Sequence, residues 1–143
     1  MSQYNPERNV DFYNRLSTGA LPGLMGIQIL EVGQGRLKAQ LEVRKDLHAP
    51  NGFLHAGTVV TLADTACGYG CSAHLGPGAK GFTTIELKSN HLGTALDGVI
   101  EVEAKAAHMG RTTHVWDAEV RHQGTGKTIA LFRCTQMILY PKA

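Results

Sequence analysis

Residues 57–75 read GTVVTLADTACGYGCSAHL and hold a single carboxylate, Asp64, with no Lys, Arg or Glu. Val59, Val60, Leu62, Ala63, Ala66, Cys67, Tyr69 and Cys71 fall on nearly every side of a 3.6-residue period, so as a helix this segment has to be covered almost all round. A small protein can supply that cover only by wrapping something else around it.

The flanking sequence has the period of strands. Ile27 and Ile29 lead to a turn at Gly33-Gln34-Gly35, after which Leu37, Ala39, Leu41 and Val43 alternate with Arg36, Lys38, Gln40 and Glu42, which predicts a hairpin. Pro50 and Asn51-Gly52 then demand turn geometry, so 46–53 is a loop. Beyond Gly76-Pro77-Gly78 four more strands are predicted over 82–92, 99–108, 113–122 and 127–139, separated by Leu92-Gly93, Asp97-Gly98, Gly110 and Gly124-Thr125-Gly126. Val102, Ala104 and Ala106 alternate with Glu101, Glu103 and Lys105, so one sheet face meets water and the other meets the helix. A short leading helix is expected over about 9–18, capped by Asn9 and stopped by Gly19 and Pro22. The order predicts an α+β fold: an antiparallel sheet of about six strands curled around one long central helix.

With 143 residues and no linker, the chain reads as a single domain over 1–143. Fourteen basic residues against twelve acidic ones, scattered along the chain, leave no footprint for nucleic acid. The first residues lack an apolar signal core, and no run of about 18 apolar residues occurs, so neither secretion nor membrane insertion is expected. Cys67, Cys71 and Cys134 are an odd number without a disulfide pattern, which fits free thiols and a cytoplasmic location.

The chemistry concentrates in Asn51-Gly52-Phe53-Leu54-His55-Ala56-Gly57 and the helix that follows. A helix start carries amide N–H groups without intrahelical partners, which present positive potential to an oxygen. Gly57 keeps such an amide approachable, and Asn51 and His55 add polar side chains just before it. Asp64 follows Gly57 by seven residues, on roughly the same helix face but about 10 Å along it. One chain therefore does not bring the two to one atom, whereas a two-fold dimer can. A carboxylate in apolar surroundings is either reactive or turned toward solvent or a neighbouring backbone, and the residues alone leave both readings open.

The stretch 51–66, within its order of two strands, helix and four strands, resembles the hotdog-fold acyl-CoA thioesterases of the phenylacetic-acid-degradation type. Their motif runs Asn, three residues, His-Gly-Gly, then Leu-Ala-Asp, and the likeness extends over about 26–139. The chain departs from it at Ala56, where the family has Gly, and at His91-Leu92-Gly93-Thr94-Ala95, where an Arg is usual. The resemblance implies hydrolysis of the thioester of an aryl- or medium/long-chain acyl-CoA by a homodimer or a homotetramer of paired dimers. Coenzyme A is then part of the substrate, and no separate cofactor is required.

It further implies that the Gly57 amide holds the carbonyl oxygen and that Asp64 is general base or nucleophile. Asn51 and His55 orient the reactants, with Thr65 as a helper. Cys67, Gly68, Thr83 and Thr84 are expected to line the acyl pocket, and Lys88, Asn90, Arg111 and Thr112 to meet coenzyme A. A hotdog hydratase or dehydratase and a non-catalytic acyl-CoA binding module are the alternatives. Cys67, Cys71 and His74 share a helix face but lack a fourth ligand, so they read as core and no metal is expected.

Overall fold

The computed structural model describes residues 3–142. Two short helices, α1 (Val10–Ser17) and α2 (Leu21–Met25), precede the hairpin β1 (Gln28–Gly33) and β2 (Arg36–Glu42). The long helix α3 (Ala56–Ser72) follows, then β3 (Gly81–His91), β4 (Val99–Met109), β5 (Thr113–His122) and β6 (Thr128–Leu139). All six strands form one antiparallel sheet in the order β1-β2-β4-β5-β6-β3, so β1 and β3 are its edges.

Asn9 caps α1 as expected, its Oδ1 accepting the Phe12 N–H at 2.9 Å. Pro22 does not merely end that helix: it sits in the first turn of α2, where the fixed φ of proline is helical and its missing N–H is not needed. The third helix stops at Ser72, three residues short of the predicted end, because Gly76-Pro77 turns the chain away.

Across the sheet Ala39 faces Val102, Ala104 faces Ala118 and Ala118 faces Phe132, and all five side chains point inward and are buried. The three alanines among them let α3 lie close on β2, β4 and β5. Trp116 is fully buried in the same layer, with its indole where a side chain at Gly70 would stand. Tyr13 of α1 stacks on Tyr69 at 4.5 Å between ring centres and shares a hydrogen bond with Ser72 Oγ at 2.9 Å, which ties the leading helix to α3.

The helix is not covered on all sides. Leu62, Ala63, Ala66, Cys67 and Cys71 are buried, but Gly57 is exposed and Val60, Thr61, Asp64 and Thr65 are only half-covered. One six-stranded sheet curls around the inner side of α3, α1 and α2 flank it, and a strip at i, i+3, i+4, i+7 and i+8 stays open.

Candidate active site

The loop ahead of α3 is tied at several points. Thr58 donates its hydroxyl hydrogen to the Leu47 carbonyl at 3.0 Å, and the His55 N–H reaches the same oxygen at 3.0 Å. The Leu54 N–H donates to Ala95 O at 3.0 Å. Asn51 closes a turn by accepting the Phe53 N–H at 3.1 Å, and Gly52 takes the left-handed conformation (φ 89°) which that turn requires.

These ties make His55 the cap of α3. Its carbonyl accepts the Thr58 and Val59 N–H groups at 2.9 and 3.4 Å, and its ring nitrogen Nδ1 accepts the Gly57 N–H at 2.7 Å. Among the described residues the Ala56 N–H is the first-turn amide left without an acceptor. The Gly57 amide, expected to hold the carbonyl oxygen, is bonded to the neighbouring imidazole, and the donor without an acceptor stands one residue earlier. An open cleft of about 460 Å³ adjoins that donor, lined by Asn51, Phe53, His55, Ala56, His91 and Thr94 among others.

His91 and Thr94 were not among the predicted site residues. Strand β3 runs back alongside α3 and returns its last residue to the helix start, a relationship set by topology that linear spacing does not reveal.

Asp64 lies on the open strip. Its Oδ1 is shielded from solvent and has no hydrogen-bond partner among the described residues, and burial raises the carboxyl above the ordinary range. Thr65 is half-exposed beside it. The hydroxyl bond back to the helix is made by Thr61, to Gly57 O at 2.9 Å.

The expected acyl-pocket residues separate. Cys67 is fully buried beneath the sheet, its thiol pushed well above its usual value by burial and by the nearby Cys134. A side chain at Gly68 would meet the Phe82 ring at 3.1 Å, so Phe82 already fills that space. Thr83 is exposed and Thr84 half-buried on β3.

Lys88 and Asn90 are exposed farther along the same edge strand. Arg111 lies in the β4–β5 turn with its guanidinium 4.8 Å from the centre of the Tyr140 ring, and Tyr140 donates its hydroxyl hydrogen to Arg111 O at 2.5 Å. Arg111 borders a recess of about 240 Å³ with Gly76 and Pro77, at the far end of α3 from His55, and Thr112 O accepts the Ile138 N–H at 2.9 Å. Arg111 and the helix start are thus not brought together within one chain.

His74 commits both ring nitrogens, Nδ1–H to Gly70 O at 2.7 Å and Nε2 to the Gly35 N–H at 2.8 Å, which leaves none for a metal. No group of three His, Cys, Asp or Glu side chains placed to hold a metal occurs among the described residues. No helix among them is long and apolar enough to cross a membrane.

Residues 51–129 match the model of the Thioesterase superfamily. A 1,4-dihydroxy-2-naphthoyl-CoA hydrolase of Listeria monocytogenes serotype 1/2a (strain 10403S) is 35% identical over 111 residues, covering 78% of this chain and 89% of that protein. A mutant thioesterase from Pseudomonas aeruginosa has a crystal structure that matches with a TM-score of 0.87 at 28% identity, over 92% of this chain and 94% of that one. The PaaI protein of the E. coli phenylacetic acid degradation operon matches with a TM-score of 0.78 at 25% identity, over 87% and 88% of the two chains.

Proposed function

The chain belongs to the Thioesterase superfamily and is a hotdog-fold thioester hydrolase, and from that premise we propose that it cleaves acyl-CoA thioesters as a two-fold dimer. In this reading a carbonyl lies between Asp64 of one protomer and the start of α3 of the other. The observation that carries it is the Asp64 Oδ1: shielded, unpartnered, and on the one strip of α3 that its own sheet leaves uncovered. An acid kept unpaired in such a place works against folding, and a site that needs a poised carboxylate accounts for it.

The Ala56 amide receives the carbonyl oxygen as negative charge develops there. Asp64 then acts in one of two ways. As general base it takes a proton from water; the hydroxide adds to the carbonyl carbon, the C–S bond breaks, and the coenzyme A thiolate leaves and is protonated. As nucleophile it forms a mixed anhydride with loss of the thiol, and water then hydrolyses the anhydride and restores the carboxylate. Asn51 and His55 orient water or carbonyl at the cleft, with Thr65 beside the acid.

Antiparallel α3 helices in a dimer set the far end of one beside the start of the other. Arg111 and Thr112 then serve coenzyme A bound at the partner's helix start, while Lys88 and Asn90, near the end of β3 that returns to its own helix start, serve coenzyme A bound there. The phosphates need such charged donors. Two such dimers pair in the tetrameric form of this reading. The aromatic acyl group named for the Listeria relative and the half-exposed Phe53 ring in the cleft both support an aryl thioester over a fatty one. The phenylacetic-acid-degradation type remains the narrower likeness within this reading.

Purified protein is expected to release free thiol from aryl-CoA esters faster than from fatty acyl-CoA esters. Asp64→Asn is expected to abolish release while a non-hydrolysable thioether analogue still binds. Hydration of an enoyl-CoA without thiol release would overturn the proposal in favour of a hydratase.

A further inference from the structure

Gly57 does not need to be glycine for backbone reasons, since it is absent from the glycines that adopt positive φ. A β-carbon there would meet only the ring of His55, 2.9 Å from Nδ1 and 3.1 Å from Cε1. The same ring accepts the Gly57 N–H at 2.7 Å. Glycine is therefore what leaves room for the imidazole to accept from the second amide of the helix.

We infer that Gly57 is a positioning residue that fixes the tautomer and pose of His55. A neutral imidazole has one protonated and one bare nitrogen, and the nitrogen that accepts a hydrogen bond is the bare one. The Gly57 amide binds Nδ1, so the proton sits on Nε2, and His55 faces the cleft as a donor, not as a base. A donor suits an oxygen or sulfur that gains negative charge; it does not suit the removal of a proton from water. That division leaves proton abstraction to Asp64 and makes His55 an aid to carbonyl or thiolate. The assignment rests on the thioesterase reading for its catalytic meaning, but the tautomer belongs to the free protein and is measured without substrate.

The informative variant is Gly57→Ala, which keeps the N–H and adds the colliding methyl. The ring is the movable partner, so the chain folds and the imidazole swings off. The melting temperature is expected to stay near that of the parent, because the preference of alanine over glycine in a helix is offset by the loss of the His55 cap. Turnover is expected to fall on the order of tenfold to a hundredfold, the scale set by a misplaced catalytic group, with KM changed far less than kcat. The ring ¹⁵N spectrum of histidine-labelled protein should show His55 protonated on Nε2 alone in the parent and as a mixture of tautomers in Gly57→Ala. A parent spectrum with the proton on Nδ1, or a Gly57→Ala enzyme of unchanged kcat, overturns the inference. A parent protein that releases no thiol but shows the Nε2–H tautomer defeats the thioesterase reading and leaves the positioning intact.

Discussion

Asp64 follows Ala56 by eight residues on one straight helix, about 12 Å farther along its axis, so the unpaired acid and the free amide of one chain cannot act on one carbonyl. Both lie where the sheet does not reach. Substitution of the acid separates its two consequences. Asp64→Asn removes a charge that burial disfavours, so the protein should gain roughly 1 kcal/mol of stability while thiol release stops. Burial raises the Asp64 carboxyl, so the acid limb of kcat/KM should lie above the ordinary carboxylate value of about 3.9. A variant as active as the parent, or an acid limb at or below that value, would count against Asp64 as the reacting group.

Deleting one hydrogen tests the amide. Ala56 is the first residue of α3, a position that accepts proline, and His55 before it is already extended at φ −66° and ψ 135°, as the residue preceding a proline must be. Ala56→Pro should therefore leave the helix and the melting temperature almost unchanged. Loss of a carbonyl donor is worth on the order of a hundredfold to a thousandfold in kcat. If Ala56→Pro turns over normally with its fold intact, the oxyanion is held elsewhere.

Gly70, on the inner side of α3, should tolerate a methyl group less well than Gly57. A β-carbon there would stand 2.7 Å from Cζ3 and 2.8 Å from Cη2 of Trp116, an indole with no exposed surface and no room to retreat. Overpacking costs about 1–3 kcal/mol, which outweighs the roughly 1 kcal/mol that alanine contributes in a helix interior. Gly70→Ala should lower the melting temperature and, because Trp116 is the sole tryptophan, shift its fluorescence. An unchanged or higher melting temperature would show that the core yields there.

Much of this was legible in residue spacing. The alternation of Val102 and Ala104 with Glu101, Glu103 and Lys105 showed the inward face of the sheet, and the apolar run around Asp64 showed the helix it wraps. The helix face that stays open was not legible, because Val60 looks like core in sequence and proves only half-covered once the curl of the sheet is known. Nor was the free amide: whether Ala56 or Gly57 keeps its donor depends on which one the His55 ring covers, a matter of a side-chain torsion. His91 joins the cleft through the return of β3, a long-range pairing that no local pattern encodes.

The stability of the fold should depend on pH through two buried imidazoles. His114 is almost fully buried and accepts the Trp116 indole N–H at 3.3 Å, and burial, followed by the charges of His74 and His108, lowers its pKa to about 4. Burial lowers His74 as well. In the unfolded chain a histidine titrates near 6.5. Between that value and about 4 the unfolded state binds a proton that folded His114 refuses, so stability is complete above pH 6.5 and falls as the solution is acidified through that window. The difference corresponds to about 3 kcal/mol for His114 at its lower end, with His74 adding in the same direction. Urea unfolding followed by Trp116 fluorescence at pH 7.5 and pH 5 should give a clearly lower midpoint at the acid value, and His114→Gln should flatten the difference. Equal midpoints at the two pH values would mean that neither imidazole is kept neutral by the fold.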